Sequence, residues 1–317
     1  MIRVLLQRVV LIVPILFGAS LIVFAIIRLV PGDPAVIMLG LNATPKLILQ
    51  IHQQLGLDQP VYVQYMHWIG GIVHGNWGYD YLSGQPISGL LTTTLPVTGE
   101  LVVLSLALAI ALGVIVGSVA ALYRGRLPDW VSQIISMIGI SIPDFWLGIM
   151  LTLLFALVLG VLPSSGFTPL TVSIPDNLIH MILPVVALAS GLTAVLIRIT
   201  RAAMLEVLGQ EYIRFARASG VPEWRVVLHH GMRNAAAPIL TVIGLQAGYL
   251  FGATIVIETV FSLPGLGQLI LNSTLTRDYP VIQASVLVLT LLFVVTNLLT
   301  DAAVLAIDPR LRQARAA

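Results

Sequence analysis

Cysteine is absent from this sequence of 317 residues, and lysine occurs only once, at Lys46. Without cysteine the chain has no disulfide, no thiolate nucleophile and no cysteine-based metal site. The phosphate-binding loop GxxxxGK[ST] needs a lysine that follows a glycine, and here Pro45 precedes the lysine. The zinc-protease motif HExxH and the intramembrane-protease patterns GxSG and GxGD are also absent. We therefore predict no catalytic residue, no metal site and no cofactor in this chain.

Charged residues are scarce as well: they make up 9% of the chain, whereas 58% is hydrophobic and the mean hydropathy is +0.99. These values exclude an ordinary soluble domain of this size. Crossing a hydrocarbon core of about 30 Å takes about 20 apolar helical residues. Uncharged runs of this length lie at residues 9–27, 101–123, 177–197, 234–257 and 279–300, and a sixth span fits inside 130–162, which contains Asp144. Since the runs are long and continuous, we predict an all-α membrane protein with six transmembrane helices rather than a barrel.

The basic residues predict the orientation of these spans. With a cytoplasmic N-terminus, six spans place thirteen basic residues inside and three outside. Those inside are Arg3, Arg8, Arg124, Arg126, Arg198, Arg201, Arg214, Arg217, Arg225, Arg233, Arg310, Arg312 and Arg315, and those outside are Arg28, Lys46 and Arg277. Cytoplasmic loops carry the excess of arginine and lysine, so we predict that both termini are cytoplasmic.

A polar, arginine-rich stretch from Gly209 to Pro238 interrupts the apolar sequence on the cytoplasmic side. Gly220 is suited to the end of one helix and Pro222 to the start of the next, so the stretch is typical of two short helices. Glu211 and Arg217 lie where they complement the dipole of the first helix. Aromatic residues mixed with charge favour a surface that docks against a cytosolic partner.

The external segment, about residues 31–96, contains one expected helix at 45–55, between Thr44 as a cap and Gly56 as a stop. Its aromatic residues are typical of a location at the lipid headgroups, and a stacking site for a sugar or base is the alternative. These are Tyr62, Tyr65, Trp68, Trp77, Tyr79 and Tyr81.

Ionisable residues at membrane depth often mark transport pathways. Glu100, Glu258 and Asp301 are expected near span ends in structural roles. Asp144 follows Pro143, which removes a backbone donor and bends a helix, so this pair is our candidate for the translocation pathway. The adjacent residues His229 and His230 point in different directions on a helix and cannot share a metal as an i, i+4 pair would.

Several motifs in order resemble those of the dipeptide/oligopeptide branch of the binding-protein-dependent ABC importer permeases. The insert is similar to the EAA loop of that branch, which reads close to YIRTARAKG and is followed by RNA and a proline. The other matching stretches are VPGDPA at 30–35, LGLDQP at 55–60, SIPDFWLG at 141–148, ETVFSLPGLGQL at 258–269, RDYPVIQ at 277–283 and DPRLR at 308–312. GNWGYD at 75–80 departs from the family, which more often has Asp second and Ser last, and this leaves partner or substrate preference open.

The resemblance implies a type I ABC importer permease fold in the bacterial inner membrane. The implied division is 1–95 for the first helix and external segment, 96–305 for the five-helix core with its coupling loop at 205–235, and 306–317 for a tail. The implied partners are a second homologous permease, two cytoplasmic ABC ATPases and an extracytoplasmic solute-binding protein, with no nucleic acid. The implied ATPase-coupling residues are Glu211, Tyr212, Ile213, Arg214, Phe215, Ala216, Arg217, Ala218, Ser219 and Gly220.

The resemblance also implies that the chain forms half of a translocation pathway. Members of the family carry dipeptides, longer peptides, glutathione or nickel complexes, and a peptide or related small solute is our expectation. The alternative is a self-sufficient channel or gradient-driven carrier, which explains six spans without a nucleotide site but leaves the docking loop unexplained. A membrane enzyme is disfavoured by the missing motifs.

Overall fold

A computed structural model describes residues 2–29 and 33–307 of the chain. The α-helices are α1 Ile2–Leu29, α2 Pro34–Leu39, α3 Pro45–Leu55, α4 Val61–Val73, α5 Ile87–Leu122, α6 Leu127–Ser141, α7 Asp144–Leu151, α8 Ile174–Leu208, α9 Glu211–Ala218, α10 Glu223–Arg225, α11 Arg233–Phe261, α12 Leu266–Thr276 and α13 Tyr279–Ile307. Thr152–Val158 and Val226–Met232 are π-helical, and Gly40–Asn42 is a 3₁₀ turn. The described residues contain one isolated β-bridge, between Tyr79 and Pro86, and no strand. The all-α prediction is confirmed.

Four helices are long and apolar enough to cross a membrane: Ile87–Leu122, Ile174–Leu208, Glu223–Phe261 and Tyr279–Ala303. A fifth candidate is the pair α6 and α7, which is bent by 102°. Within the described part of α1, Val10–Ile26 is a shorter apolar helix. The described residues therefore provide four or five candidate spans, and the count of six and the cytoplasmic termini stay predictions.

Helix α5 begins well before the predicted start of the second span at residue 101. Its first turns are polar, but the hydroxyls of Thr92 and Thr94 donate to the helix carbonyls of Gly89 and Leu90, so these two hydroxyls are satisfied within the helix. The prediction placed the boundary after the charge of Glu100, and a single charge does not end a helix. Glu100 consequently lies inside α5 and not near its start.

The first compact unit comprises residues 1–8, 99–263 and 293–317. Helix α8 is its central element and packs against α6, α7 and α11. Its buried side chains include Leu188, Leu196 and Met204. A Cβ added at Gly117 of α5 would lie 2.7 Å from Cβ of Thr200, so the missing side chain allows α5 and α8 to approach closely.

The second compact unit comprises residues 9–98 and 264–292. Its buried core contains Ile87, Leu91, Leu266, Val281, Ala284 and Val288. The predicted external helix is confirmed as α3: Thr44 Oγ1 accepts from Leu47 N at 3.4 Å, and Gly56 ends the helix with φ of 64°. The sequence division at 95/96 and 305/306 stays a prediction. Part of VPGDPA, all of DPRLR and most of the 306–317 tail lie outside the described residues.

Candidate functional site

Helix α9 forms a corner of the polar insert and is anchored by one buried side chain. Of the ten predicted coupling residues, Ile213 is fully buried, Ala216 is half-buried, and the other eight are exposed. The helix packs against the π-helical segment Val226–Met232. It ends before Gly220, whose φ is 80°, and Val221 N donates to Ala216 O at 3.1 Å. The predicted stop at Gly220 is confirmed.

The outer surface of this corner presents large aromatic side chains. Phe215 is 75% exposed, Trp224 is 60% exposed, and Tyr212 is also exposed. The guanidinium of Arg225 lies 5.2 Å from the centre of the Trp224 ring. Aromatic and arginine side chains of this kind dominate the energetics of protein–protein interfaces. We define Tyr212, Phe215 and Trp224 as the aromatic patch.

Two ion pairs shape the corner. The guanidinium of Arg217 donates two hydrogen bonds to the carboxylate of Glu223, from Nε at 3.1 Å and from a terminal nitrogen at 2.6 Å. The pair connects the end of α9 to the start of α10. This hydrogen-bonded pair raises the pKa of Arg217. Arg214 donates to Glu211 at 2.9 Å within α9, where both side chains are exposed. Because exposed pairs contribute little, the Arg217–Glu223 pair sets geometry more than stability.

The expectation of two separate short helices was wrong for the second one. Pro222 caps α10, which continues through Val226–Met232 into α11, so Glu223–Phe261 is a single helix of 39 residues. No proline follows Pro222 until Pro238, which lies inside α11. The polarity of residues 223–233 suggested a separate element, but polarity alone does not end a helix.

His229 and His230 lie in the π-helical segment, with ring centres 5.2 Å apart and ring planes at 90°. Among the described residues, no group of three or more histidine, aspartate or glutamate side chains could hold a metal ion. The histidine pair therefore gives no basis for a metal centre.

The predicted bend at Pro143 is confirmed. Helix α6 ends at Ser141, α7 begins at Asp144, and Pro143 caps α7 between them. Asp144 Oδ1 accepts from Ser190 Oγ at 3.3 Å, and it would lie 3.1 Å from a Cβ placed on Gly191 of α8. The break thus brings a carboxylate and the free backbone of a helix end to the face of α8.

A cavity of about 300 Å³ opens at this break. It is lined by Pro143 and Asp144, by Gly191 of α8, and by Gln246 and Tyr249 of α11. The other two carboxylates expected at span ends in structural roles lie apart from it: Glu258 is fully buried near the end of α11, and Asp301 lies in α13. Among the described residues, Asp144 is therefore the carboxylate that lines this cavity.

The sequence analysis missed a buried ion pair. Asp129, at the start of α6, is 2% exposed and accepts from Arg201 Nε at 2.5 Å and from its second nitrogen at 2.9 Å. Gly125 N and Gln133 Nε2 also donate to this carboxylate. The sequence analysis gave Asp129 no role and counted Arg201 only among the basic residues that predict the orientation, and nothing in the sequence pattern indicates a contact between residues so distant in sequence.

Comparison with known proteins agrees with this architecture. The family described as "Binding-protein-dependent transport system inner membrane component" matches residues 113–313, and its N-terminal companion matches residues 1–102. Glutathione transport system permease protein GsiC of Escherichia coli K12 is 41% identical over 312 residues, which is 98% of this chain and 99% of the relative. GsiC of Shigella flexneri serotype 5b shows the same identity and coverage.

A solved structure titled "Inward facing conformations of the MetNI methionine ABC transporter" has the same fold, with a TM-score of 0.57 and 20% identity. It covers 70% of this chain and 97% of the solved chain. The family match and the near-complete coverage of the GsiC relatives agree with the helical core and its polar insert. The chain therefore belongs to the binding-protein-dependent transport system inner membrane components and is a permease of an ABC importer in the inner membrane.

Proposed function

We propose that this permease forms one half of a translocation pathway, pairs with a second homologous permease, and is driven by two cytoplasmic ATPases. An extracytoplasmic solute-binding protein delivers the solute. In this proposal the chain crosses the membrane six times, with Val10–Ile26 in the first span and both termini inside. The division into 1–95, 96–305 and 306–317 belongs to the same proposal.

The observation that carries this proposal is the aromatic patch on α9 and α10. An exposed Phe215 held on a helix whose Ile213 is fully buried is a rigid apolar projection, and such projections fit pockets on partners. We assign ATPase coupling to residues 211–220 for this reason. Closure of the ATPases around ATP would draw this corner inward, and the helices attached to it would move as rigid bodies.

Pro143 and Asp144 are our candidates for the translocation pathway. Ionisable residues within membrane spans generally face a cavity or the bundle interior, and Asp144 lines a cavity at a broken helix. An accepting carboxylate there suits a solute that carries an ammonium group or several N–H donors. This contact is consistent with a peptide.

The substrate that we propose is a short peptide or a peptide-like solute such as glutathione. The GsiC relatives carry glutathione transport in their names and are 41% identical over nearly the whole chain. Glutathione is itself a small peptide with free carboxylates. The self-sufficient channel or carrier gains no support, because such a protein has no need of a docking corner.

The test is uptake by vesicles that hold the whole transporter. The two permeases and two ATPases are reconstituted, the solute-binding protein is added outside, and uptake of radiolabelled glutathione and trialanine is followed with ATP or with a non-hydrolysable analogue. We expect accumulation only with ATP and only with the binding protein. Accumulation in vesicles that contain this chain alone would contradict the proposal.

A further inference from the structure

The second compact unit contains a cavity of about 990 Å³, much larger than the cavity at Asp144. This volume is at the upper end of the range of about 300–1,000 Å³ that small-molecule sites occupy. Its wall combines aromatic rings with a few polar groups, a composition typical of ligand sites. Most of these residues come from the segment that the proposed topology places outside the membrane.

A guanidinium on the wall of this cavity has no carboxylate partner among the residues that the structure describes. Arg28 lies 4.1 Å from the centre of the Phe24 ring, and one of its nitrogens donates to Gln64 Oε1. No carboxylate of the described residues forms an ion pair with it. Arginine binds carboxylates through paired hydrogen bonds, so this group is suited to an anionic end of a ligand.

Two further donors on the wall have no hydrogen-bond partner in the part of the chain that the structure describes. Tyr279 is 7% exposed, and its hydroxyl is buried and unpaired. The indole N–H of Trp68 is also buried and unpaired, although its ring stacks on Phe24. Buried polar groups are rarely left without a partner, so both donors favour a bound acceptor.

The acids on the wall already have partners of their own. Asp33 binds His52 at 2.8 and 2.9 Å, and Asp80 accepts from Leu82 N and Ser83 N at 2.7 Å. They therefore do not neutralise Arg28, yet they supply negative charge elsewhere on the same wall. A solute with both a carboxylate and an ammonium group matches this distribution of charge.

We propose that this cavity is a second binding site, which holds a short peptide by its carboxylate at Arg28, Trp68 and Tyr279. The choice of a peptide rests on the proposed function. The site is distinct from the candidate pathway at Asp144, because the residues lining it belong to the other compact unit. It would hold the solute between its release by the binding protein and its entry into the membrane.

The test is equilibrium dialysis of radiolabelled trialanine against the complete transporter, without ATP and without the binding protein. Trialanine amide, which lacks the carboxylate, serves as the matched competitor. We expect Arg28→Gln to weaken trialanine binding about tenfold and Tyr279→Phe to weaken it roughly fivefold. The amide should compete poorly against wild-type protein.

Tyr279→Phe also tests whether misfolding, rather than loss of a contact, explains weaker binding of trialanine. It removes only an unpaired buried hydroxyl, so the thermal stability of the ligand-free transporter should stay the same or rise while binding weakens. Lys46→Gln and Tyr62→Phe are the controls, since both change exposed residues of the external segment that do not line the cavity. Both should bind trialanine as the wild type does.

The inference is overturned if trialanine does not bind, if Arg28→Gln binds it as tightly as the wild type, or if the amide competes equally well. The last result would show that the cavity does not recognise the carboxylate. Measuring ATP-driven uptake in the same preparation distinguishes failure of the second site from failure of the proposed function. Uptake of trialanine without Arg28-dependent binding removes the second site alone, whereas Arg28-dependent binding without any peptide uptake keeps the site and removes the proposed substrate.

Discussion

Asp129 and Arg201 are 72 residues apart in sequence, yet they form a bidentate ion pair, with nitrogen–oxygen distances of 2.5 and 2.9 Å. The contact holds the turn before α6 against the C-terminal part of α8. Removing one partner of a buried pair leaves a charge without compensation and costs roughly 3–5 kcal/mol. We expect Asp129→Ala to lower the melting temperature of the purified permease clearly, as measured by thermal unfolding in detergent.

The control for this prediction is the exposed pair Arg214–Glu211, where Glu211→Ala should cost less than about 0.5 kcal/mol. A double-mutant cycle with Arg201→Met tests the coupling directly. If Asp129→Ala and Glu211→Ala destabilise the protein equally, the ion pair has no special structural role.

Phe215→Ala should weaken the attachment of the ATPases. Phe215 is 75% exposed, so its truncation leaves the permease fold intact, whereas loss of an aromatic anchor costs an interface about 2 kcal/mol, or roughly 30-fold in affinity. Co-purification and uptake in vesicles check this. Trp130→Ala, which removes an exposed aromatic outside the insert, should retain the ATPases.

Gly220→Val should uncouple ATP hydrolysis from uptake. Its φ of 80° costs a side chain roughly 1–2 kcal/mol, and no atom lies within 4 Å of an added Cβ, so the strain comes from the backbone alone. Gly220→Asn is the matched control, because asparagine tolerates this conformation better. The ratio of uptake to ATP hydrolysis should fall for valine and fall less for asparagine. Equal ratios for both variants would refute the argument.

Ala216→Arg should have the same uncoupling effect through packing. Ala216 is half-buried on α9, and an arginine there must displace the helix from the segment behind it. We expect normal membrane insertion with reduced uptake, measured in the same vesicles. Ala218→Arg, at an exposed position of the same helix, is the control and should change uptake less.

The stability of the second compact unit should respond to pH through Asp278. Burial, together with the nearby Asp80 carboxylate, raises the pKa of Asp278 to about 6, although the N–H groups of Tyr81 and Val281 oppose the shift. Because the folded protein favours the protonated form, this contribution is fully present below about pH 4 and is lost as the pH rises through about 6. The thermal stability should therefore fall mainly between about pH 4 and 6.5.

The contribution of Asp80 to stability has the opposite dependence on pH. Burial raises its pKa, but hydrogen bonds from Ser83, Leu82 and Asp278 lower the pKa more, so its contribution is lost only at more acidic pH. Asp278→Asn removes the titration but leaves one oxygen where two accept from Tyr81 N and Val281 N, so it should lower the stability at every pH and flatten the slope between about pH 4 and 6.5. Asp58→Asn, which changes an exposed acid of the same compact unit, should leave the slope unchanged; a slope that survives Asp278→Asn would assign it to another group.

Local signals in the sequence predicted the elements that local chemistry controls. Thr44 and Gly56 marked the ends of α3, Gly220 marked the end of α9, and Pro143 marked the bend. In each case a single residue type, through its backbone geometry or its capping side chain, is sufficient to end or bend a helix.

The features that the sequence did not reveal depend on contacts between distant residues or on helix continuity. The pair Asp129–Arg201 and the cavity beside Arg28 are assembled from separate parts of the chain. The aromatic residues of the external segment were expected at the lipid headgroups, but Tyr65 is buried against Phe24, with ring centres 5.2 Å apart. An amphipathic ring fits a membrane surface and a protein core equally well, so composition alone did not distinguish them.

The continuity of Glu223–Phe261 makes the corner formed by α9 and α10 one end of a long lever. A helix of 39 residues is about 58 Å long at 1.5 Å per residue. A tilt of about 5° at Trp224 therefore displaces Phe261, at the far end, by about 5 Å. If an ATPase binds this corner as proposed, its small movements would reach the far end of the helix as displacements comparable to the width of an amino-acid side chain.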